Sequence, residues 1–118
     1  MRRLPSSSGE ATVIGPGQSI DEQLRFAIAS KRLIQFRYHG SLRLAEPHDY
    51  GIQNGMAKAL VYQLRGPSGV PLEKVIGWRL LFVSKIEGCV ALEETFPGSR
   101  GRSHRQHLEW DIVYARVA

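Results

Sequence analysis

The chain has 118 residues, 42% of them hydrophobic and 23% charged, which is enough for one ordinary hydrophobic core and leaves no room for a second domain. Its 16 basic residues, twelve of them arginine, outnumber 11 acidic ones, and the net charge of +5 at pH 7 favours an anionic partner. No apolar run is long enough to span a membrane or to form a signal core, so we expect a cytoplasmic protein.

The first eighteen residues differ from the rest of the chain. Residues 1–18 contain Pro5, a run of serines and Gly15-Pro16-Gly17, and their apolar residues show no periodicity. Such a composition cannot supply a face that packs, so we expect a disordered lead. Ser19 and Glu22 then stand at the spacing of a capping box, and apolar residues follow at helical spacing. This pattern predicts a helix from about residue 20 to residue 30.

The apolar period then changes to two, which is typical of β-strands. Ile34, Phe36 and Tyr38 should share one face of a strand, and the turn at His39-Gly40-Ser41 should return the chain antiparallel. Pro47 has no N–H to donate to a ladder, so we expect the second strand to break or to run along an edge there.

Later segments repeat the strand pattern. Asn54-Gly55 predicts another turn, and Trp78, Leu80 and Phe82 should share one face, which we assign to the interior. Cys89 lies in an apolar run and is the only cysteine, so we expect a small buried side chain and no intramolecular disulfide. The remaining strands are expected at residues 58–64, 78–83, 88–92 and 109–117.

Together these elements predict a single domain at residues 19–118. The fold class is mainly β (α+β), with about five short strands, one N-terminal helix and a C-terminal strand. So many short strands on a small chain favour a curled sheet or a partly closed barrel over a flat sheet.

Several sequence pieces occur in an order that resembles a known family. These pieces are Ile34–Gly40, Glu46–Gly51, Gly77–Arg79, Ile86 and Phe96. In this order they resemble a WYL-type domain, a small β-barrel module of bacterial regulators, over roughly residues 20 to 97. The resemblance implies an Sm-like or SH3-like barrel.

The resemblance also implies a role. Most WYL-type domains follow a winged-helix DNA-binding domain and act as its sensor, with single-stranded nucleic acid or nucleotide signals among the implied ligands. Residues 1–18 are too short for such a DNA-reading domain, so the chain is most similar to short stand-alone bacterial WYL-like proteins. The run that names the family falls on Lys58, Ala59 and Leu60, and only the leucine is retained. Phe82 stands where the family tends to have a second arginine.

Basic and aromatic residues on the predicted strands are the candidate ligand contacts. Guanidinium groups match phosphate oxygens, and aromatic faces can stack on bases. The alternative is that the aromatic residues belong to the core and the arginines to a solvated strand face. The candidates are Arg79, Arg37, Arg43, Tyr62, Tyr38, Trp78 and Lys58, with Arg79 the first choice.

A second cationic feature is the basic loop at residues 98–107. Its arginines, Arg100, Arg102 and Arg105, could follow a phosphate backbone, or the loop could be a solvated connection to the last strand. His104 and His107 have a spacing that some metal ligands show, but no carboxylate or cysteine lies in the loop, so we expect no metal.

We therefore expect a non-enzymatic binding domain in bacterial regulation, with a single-stranded nucleic acid or a nucleotide-type anion as its ligand. No phosphate loop is present, no cofactor is expected, and Glu46-Pro47-His48-Asp49 is interpreted as a strand break with a structural histidine. The alternative is an interaction module whose basic surface or open sheet edge joins protein partners, including its own copies.

Overall fold

The computed structural model describes residues 19–104 and 108–118, and the lead expected at residues 1–18 lies outside these ranges. The helices are α1 (Ile20–Ser30) and α2 (Leu72–Val75). The strands are β1 (Arg32–Tyr38), β2 (Ser41–Gln53), β3 (Met56–Arg65), β4 (Gly77–Phe82), β5 (Ile86–Thr95) and β6 (Ile112–Arg116). Short 3₁₀ turns lie at Val83–Lys85 and Gly101–Ser103. No helix in the described part of the chain is long and apolar enough to cross a membrane.

Helix α1 begins and ends where its sequence predicts. Ser19 Oγ accepts a hydrogen bond from the Glu22 N–H at 3.1 Å, and Glu22 Oε1 accepts one from the Ser19 N–H at 2.8 Å. This capping box satisfies donors that the first helical turn would leave free. Lys31 ends the helix in the left-handed conformation with φ 54°. Leu24 and Ala27 are fully buried, so the helix packs its apolar face on the sheet.

The strands form one antiparallel sheet in the order β4-β3-β2-β1-β5, and β6 pairs with β2. Two tight turns join β1 to β2 and β2 to β3. All four turn residues have positive φ: His39 52°, Gly40 76°, Asn54 52° and Gly55 77°. This is the geometry of type I′ hairpins, whose twist matches that of the flanking strands. Both predicted turns are confirmed.

The sheet has six strands among the described residues, and β4 and β5 stand at its two ends. No pairing in residues 19–104 and 108–118 joins β4 to β5, so the chain shows an open antiparallel sheet with helices. The mainly β class is confirmed. The closed Sm-like or SH3-like barrel is not confirmed and stays a prediction.

Of the two outcomes expected at Pro47, a strand break or an edge position, the break does not occur, because β2 runs through this residue. One side of β2 pairs with β3 along its length, and Pro47 lies opposite Val61. The other side pairs with β1 up to Ala45 and with β6 from Asp49. On this second side Pro47 lies in the gap between β1 and β6, where no partner strand requires the N–H that proline lacks. A proline is tolerated there as it is on an edge strand.

The face assigned to the interior on β4 is also wrong. Leu81 is 3% exposed and belongs to the core beneath α1, whereas Leu80 on the other face is 36% exposed. Phe82 is only half-buried. On β1, by contrast, Ile34, Phe36 and Tyr38 are buried together as predicted. Cys89 is buried too, and burial raises the pKa of its thiol to about 12.

Adjacent leucines on opposite faces allow a matched stability test. We expect Leu81→Ala to lower the free energy of unfolding by about 2 to 5 kcal/mol, because it leaves a cavity in the core. Leu80→Ala should cost less than about 1 kcal/mol, because its side chain already contacts water. Urea unfolding with an unchanged m-value would measure both. Equal losses would show that both faces of β4 are interior.

Candidate functional site

A β-bulge in β2 organises the most polar part of the structure. Pro47 lies opposite Val61 on β3 and Asp49 lies opposite Leu60, so His48 is one residue extra. In a regular strand, residues three apart point to opposite faces. Because His48 is an extra residue, the side chains of Glu46 and Asp49 point to the same face of the sheet, and His48 points there too. This is the face away from α1. Their contacts with one shared set of groups follow from this.

Glu46 is paired at both carboxylate oxygens. Arg100 donates from Nε to Oε1 at 2.8 Å and from Nη2 to Oε2 at 2.9 Å, which is the bidentate arrangement. The Nε2 atom of His48 lies 3.0 Å from the same Oε1. The guanidinium of Arg100 also covers the ring of Tyr62, with 3.6 Å between Cζ and the ring centroid.

Asp49 is paired in the same way. His104 Nε2 lies 2.9 Å from Oδ2, and Arg116 Nε donates to Oδ1 at 2.9 Å. The second ring nitrogen of His104 lies 3.2 Å from Ser99 Oγ. Asp49 and His104 are both buried. The chain segment after β5 is therefore bound to β2 through side chains.

Aromatic rings enclose these groups. Trp78 stacks nearly parallel on His104, with 5.5 Å between centroids and 14° between planes. It also contacts His48 edge-on at 4.8 Å and Tyr62 edge-on at 5.2 Å. We call the two carboxylates, their bonding partners and the surrounding rings the bulge cluster. Its members are Glu46, His48, Asp49, Tyr62, Trp78, Ser99, Arg100, His104 and Arg116.

Burial and hydrogen bonding shift the pKa values of Glu46 and His48 in the bulge cluster. Burial alone would raise the pKa of Glu46, but hydrogen bonds from Arg100 and His48 outweigh it, and the pKa of Glu46 lies below its usual range. Burial lowers the pKa of His48 despite the opposing pull of Glu46. His48 Nδ1 has no hydrogen-bond partner among the described residues. The cluster thus holds an ionised Glu46 beside a His48 that is biased toward the neutral form.

A second feature is a cleft at the start of β2. It has a volume of about 550 Å³ and lies between the start of β2, the end of β3 and the segment that follows β3. Leu42, Leu44 and Leu92 supply apolar wall. We call it the arginine cleft. Its polar lining residues are Gln35, Ser41, Arg43, Arg65, Ser68 and Glu94.

The two arginines that line the arginine cleft differ in how their side chains are bonded. Arg65 is exposed, and its side chain makes no hydrogen bond or ion pair with any described residue. Arg43 is held differently, since it donates to Gln63 Oε1 and to the carbonyl oxygen of Tyr38, each at 3.2 Å. Its Nε atom is buried and has no partner in the described part of the chain. Arg65 is therefore the cation available to a ligand.

Arg79, the first choice among the candidates, is bonded to main-chain carbonyls. Its Nη1 donates to Trp78 at 2.8 Å, and its Nη2 donates to Lys74 at 3.1 Å and Val75 at 3.0 Å. These bonds leave Nε and one hydrogen of Nη1 for any other partner. Arg79 thus satisfies carbonyl oxygens at the end of α2.

The other candidates do not form one groove. Tyr38 is buried, and its hydroxyl accepts a hydrogen bond from the Phe82 N–H at 3.0 Å. Lys58 donates to Gln53 Oε1 at 2.8 Å. Tyr62 and Trp78 belong to the bulge cluster. Arg37 is exposed on β1, and it pairs in register with Leu42 at the wall of the arginine cleft.

The basic loop is only partly free. Arg100 is bound to Glu46, so it is not available as a flexible cation. Arg102 is exposed, and Arg105 lies outside the described residues together with His107. Within the described ranges, no group of three or more histidine, cysteine, aspartate or glutamate side chains is arranged to hold a metal ion.

Sequence reasoning missed the bulge cluster. It interpreted Glu46-Pro47-His48-Asp49 as a strand break, whereas these residues lie within β2 and carry the buried network. The signal was present in three ionisable residues within four positions of an apolar strand. Ser99, His104 and Arg116 carried no comparable signal, since each is distant from β2 in sequence.

Comparison with known proteins identifies no relative of this chain. No protein-family model matches the chain, and no curated protein or solved structure does either. The likeness to WYL-type domains therefore stays a prediction.

The lowered pKa of His48 predicts a pH-dependent stability. When the pKa of a histidine is lower in the folded protein than its unfolded value of about 6.5, its contribution to the free energy of unfolding is complete above that pH. This contribution is lost as the pH falls. We expect the Tm of the unmodified protein to fall between about pH 7 and pH 5, a window in which Glu46 stays ionised. His48→Gln should reduce this fall, since it does not titrate.

His39→Asn is the matched control, because His39 is exposed at a left-handed turn position that asparagine tolerates. Its Tm should follow the unmodified protein at every pH. Thermal melts followed by circular dichroism would measure all three proteins. An equal fall in the unmodified protein and His48→Gln would contradict burial of a neutral imidazole.

Proposed function

We propose that this chain binds a nucleotide-type anion, alone or as part of a single-stranded nucleic acid, in the arginine cleft. The observation that carries the proposal is the unpaired Arg65 at a cleft of about 550 Å³. Clefts of this volume are typical of small-ligand sites, and guanidinium groups bind phosphate oxygens bidentately. Binding of such a signal fits a sensing role in bacterial regulation.

The charge distribution supports an anionic ligand. Several carboxylates are paired internally, as Asp21 is with Arg25, Glu46 with Arg100 and Asp49 with Arg116. Arg37, Arg65 and Arg102 have no such partner among the described residues. Glu94 is the one carboxylate in the cleft lining. The local field therefore favours phosphate near Arg65.

The lining supports a ligand with a sugar or base beside the phosphate. Ser41, Ser68 and Gln35 offer hydroxyl and amide groups, and Leu44 and Leu92 offer apolar surface. An apolar wall with a few polar groups is the usual composition of a small-ligand site. Arg37 lies beside the cleft on β1 and could extend the contact to a second phosphate of a longer strand.

The resemblance to WYL-type domains supports the same function. In that family the ligand groove lies on a small Sm-like barrel, and we propose that this sheet is a partly closed barrel of that kind. The order of the strands and the single N-terminal helix are compatible with it. The position of the contact would differ, because the proposed cation is Arg65.

A second candidate function is self-association through a sheet edge. The described pairings give β4 a neighbour only in β3 and β5 a neighbour only in β1. Leu80 and Ile76 are exposed at or beside β4. Free edges of this kind can pair with another chain.

Charge-neutralising variants separate cleft binding from general attraction. We expect Arg65→Gln to weaken binding of a fluorescein-labelled oligothymidylate and of a labelled nucleotide by about tenfold or more, since it removes a charged hydrogen bond. Arg102→Gln removes the same charge at an exposed loop position and should weaken binding by less than about threefold. Fluorescence anisotropy in a salt series would measure both.

Other outcomes are equally informative. If Arg79→Gln abolishes binding while Arg65→Gln does not, the ligand contacts the groove that the sequence predicted. If the unmodified protein binds no labelled oligonucleotide or nucleotide even at low salt, the cleft proposal is wrong. Light scattering would then test self-association.

A further inference from the structure

Three side chains of the bulge cluster form a continuous hydrogen-bond path that the arginine cleft does not use. Ser99 Oγ lies 3.2 Å from His104 Nδ1, and His104 Nε2 lies 2.9 Å from Asp49 Oδ2. A hydroxyl, an imidazole and a carboxylate are thus connected in series. This order is the one in which a nucleophile, a base and an orienting group act together.

The carboxylate determines which ring nitrogen of His104 carries the proton. The Asp49 carboxylate accepts a hydrogen bond from Arg116 Nε at its other oxygen, and a carboxylate is an acceptor only. The neutral imidazole must then donate from Nε2, and Nδ1 keeps its lone pair toward Ser99. Trp78 stacks on the ring and holds its plane. His104 is therefore oriented to accept the hydroxyl proton of Ser99.

Exposure differs along the path. The side chains of Asp49 and His104 are 1% and 2% exposed, whereas Ser99 is exposed. The base and its orienting group are shielded from water, whereas the serine residue lies at the surface.

The backbone holds Ser99 between two glycines. Gly98 has φ +120° and lies so close to the chain end that a Cβ there would be 2.5 Å from the Ala118 carbonyl oxygen. Gly101 has φ +61°, and its N–H donates to Ser99 Oγ at 3.2 Å. That N–H also remains beside the oxygen if negative charge develops on it. The turn thus sets the position of the hydroxyl.

We propose that Ser99 is a nucleophile activated by His104 and positioned through Asp49, and that it reacts with acyl and phosphoryl electrophiles. Ser99 Oγ forms a bond to the electrophilic carbon or phosphorus as its proton passes to His104 Nδ1. The leaving group departs with the bonding electron pair, and an alkoxide leaving group takes the proton from His104. A water molecule then attacks the carbon of an acyl intermediate as its proton passes to His104 Nδ1, the bond from that carbon to Ser99 Oγ breaks, and Ser99 Oγ takes the proton back from His104.

A fluorophosphonate probe tests this chemistry directly. Ser99 Oγ would bond to phosphorus, the phosphorus–fluorine bond would break, and fluoride would leave. Intact mass spectrometry should show one adduct, and peptide mapping should place it on Ser99. Ser99→Ala should abolish the adduct. Ser103→Ala is the matched control, since Ser103 is an exposed serine of the same loop, and its variant should be labelled normally.

Asp49→Asn tests the orienting group. It should slow labelling by about two orders of magnitude or more, because an amide no longer enforces the required tautomer. Circular dichroism would establish that the variant is folded. Labelling that persists in Ser99→Ala, no adduct on the unmodified protein, or normal labelling of a folded Asp49→Asn would each overturn the proposal.

A thiol exchange avoids any change in the buried network. In Ser99→Cys the new thiol lies beside His104, whereas in Ser103→Cys it lies outside the path. The native Cys89 is buried with a pKa of about 12, so its background reaction with iodoacetamide should be slow. We expect Ser99→Cys to be alkylated about tenfold faster than Ser103→Cys. Equal rates would show that His104 does not activate the group at position 99.

Discussion

The extra residue that β2 carries at His48 decides how one side of the sheet is built. It directs Glu46, His48 and Asp49 to the same face. Carboxylates buried on a sheet face are strongly unfavourable unless they are paired, and an unpaired one would cost about 3 to 5 kcal/mol. The chain meets this constraint by bringing Arg100, His104 and Arg116 over the bulge.

The C-terminal part of the chain follows from that constraint. The Val117 N–H donates to the His48 carbonyl oxygen at 2.8 Å, and the Ser99 N–H donates to Ala118 at 3.0 Å. β6 pairs with β2 beside the bulge. Hydrogen bonds and ion pairs therefore join the bulge to the loop after β5 and to β6. Loss of one ion pair would leave a buried charge that the others cannot reach, so these segments should order together.

The same network divides the basic residues into two groups. Arginines that neutralise buried carboxylates or cap carbonyl oxygens, such as Arg100 and Arg79, stabilise the fold. The side chains of Arg65 and Arg37 have no partner among the described residues, and both lie near the start of β2. Leu42, Leu44 and Glu46 occupy alternate positions of β2, so one wall of the arginine cleft leads to the bulge cluster along the strand.

The sequence by itself determined the features that depend on nearby residues. The capping box of α1 spans three residues, and the His39-Gly40 and Asn54-Gly55 turns need only their own left-handed conformations. The buried face of β1 follows from its alternation. The tertiary structure decided the partners of Glu46 and Asp49, which lie 54, 55 and 67 residues away for Arg100, His104 and Arg116. Local propensity carries no information about such contacts. They depend on strand order, on the bulge at His48 and on which face α1 covers, and these are properties of the whole folded chain.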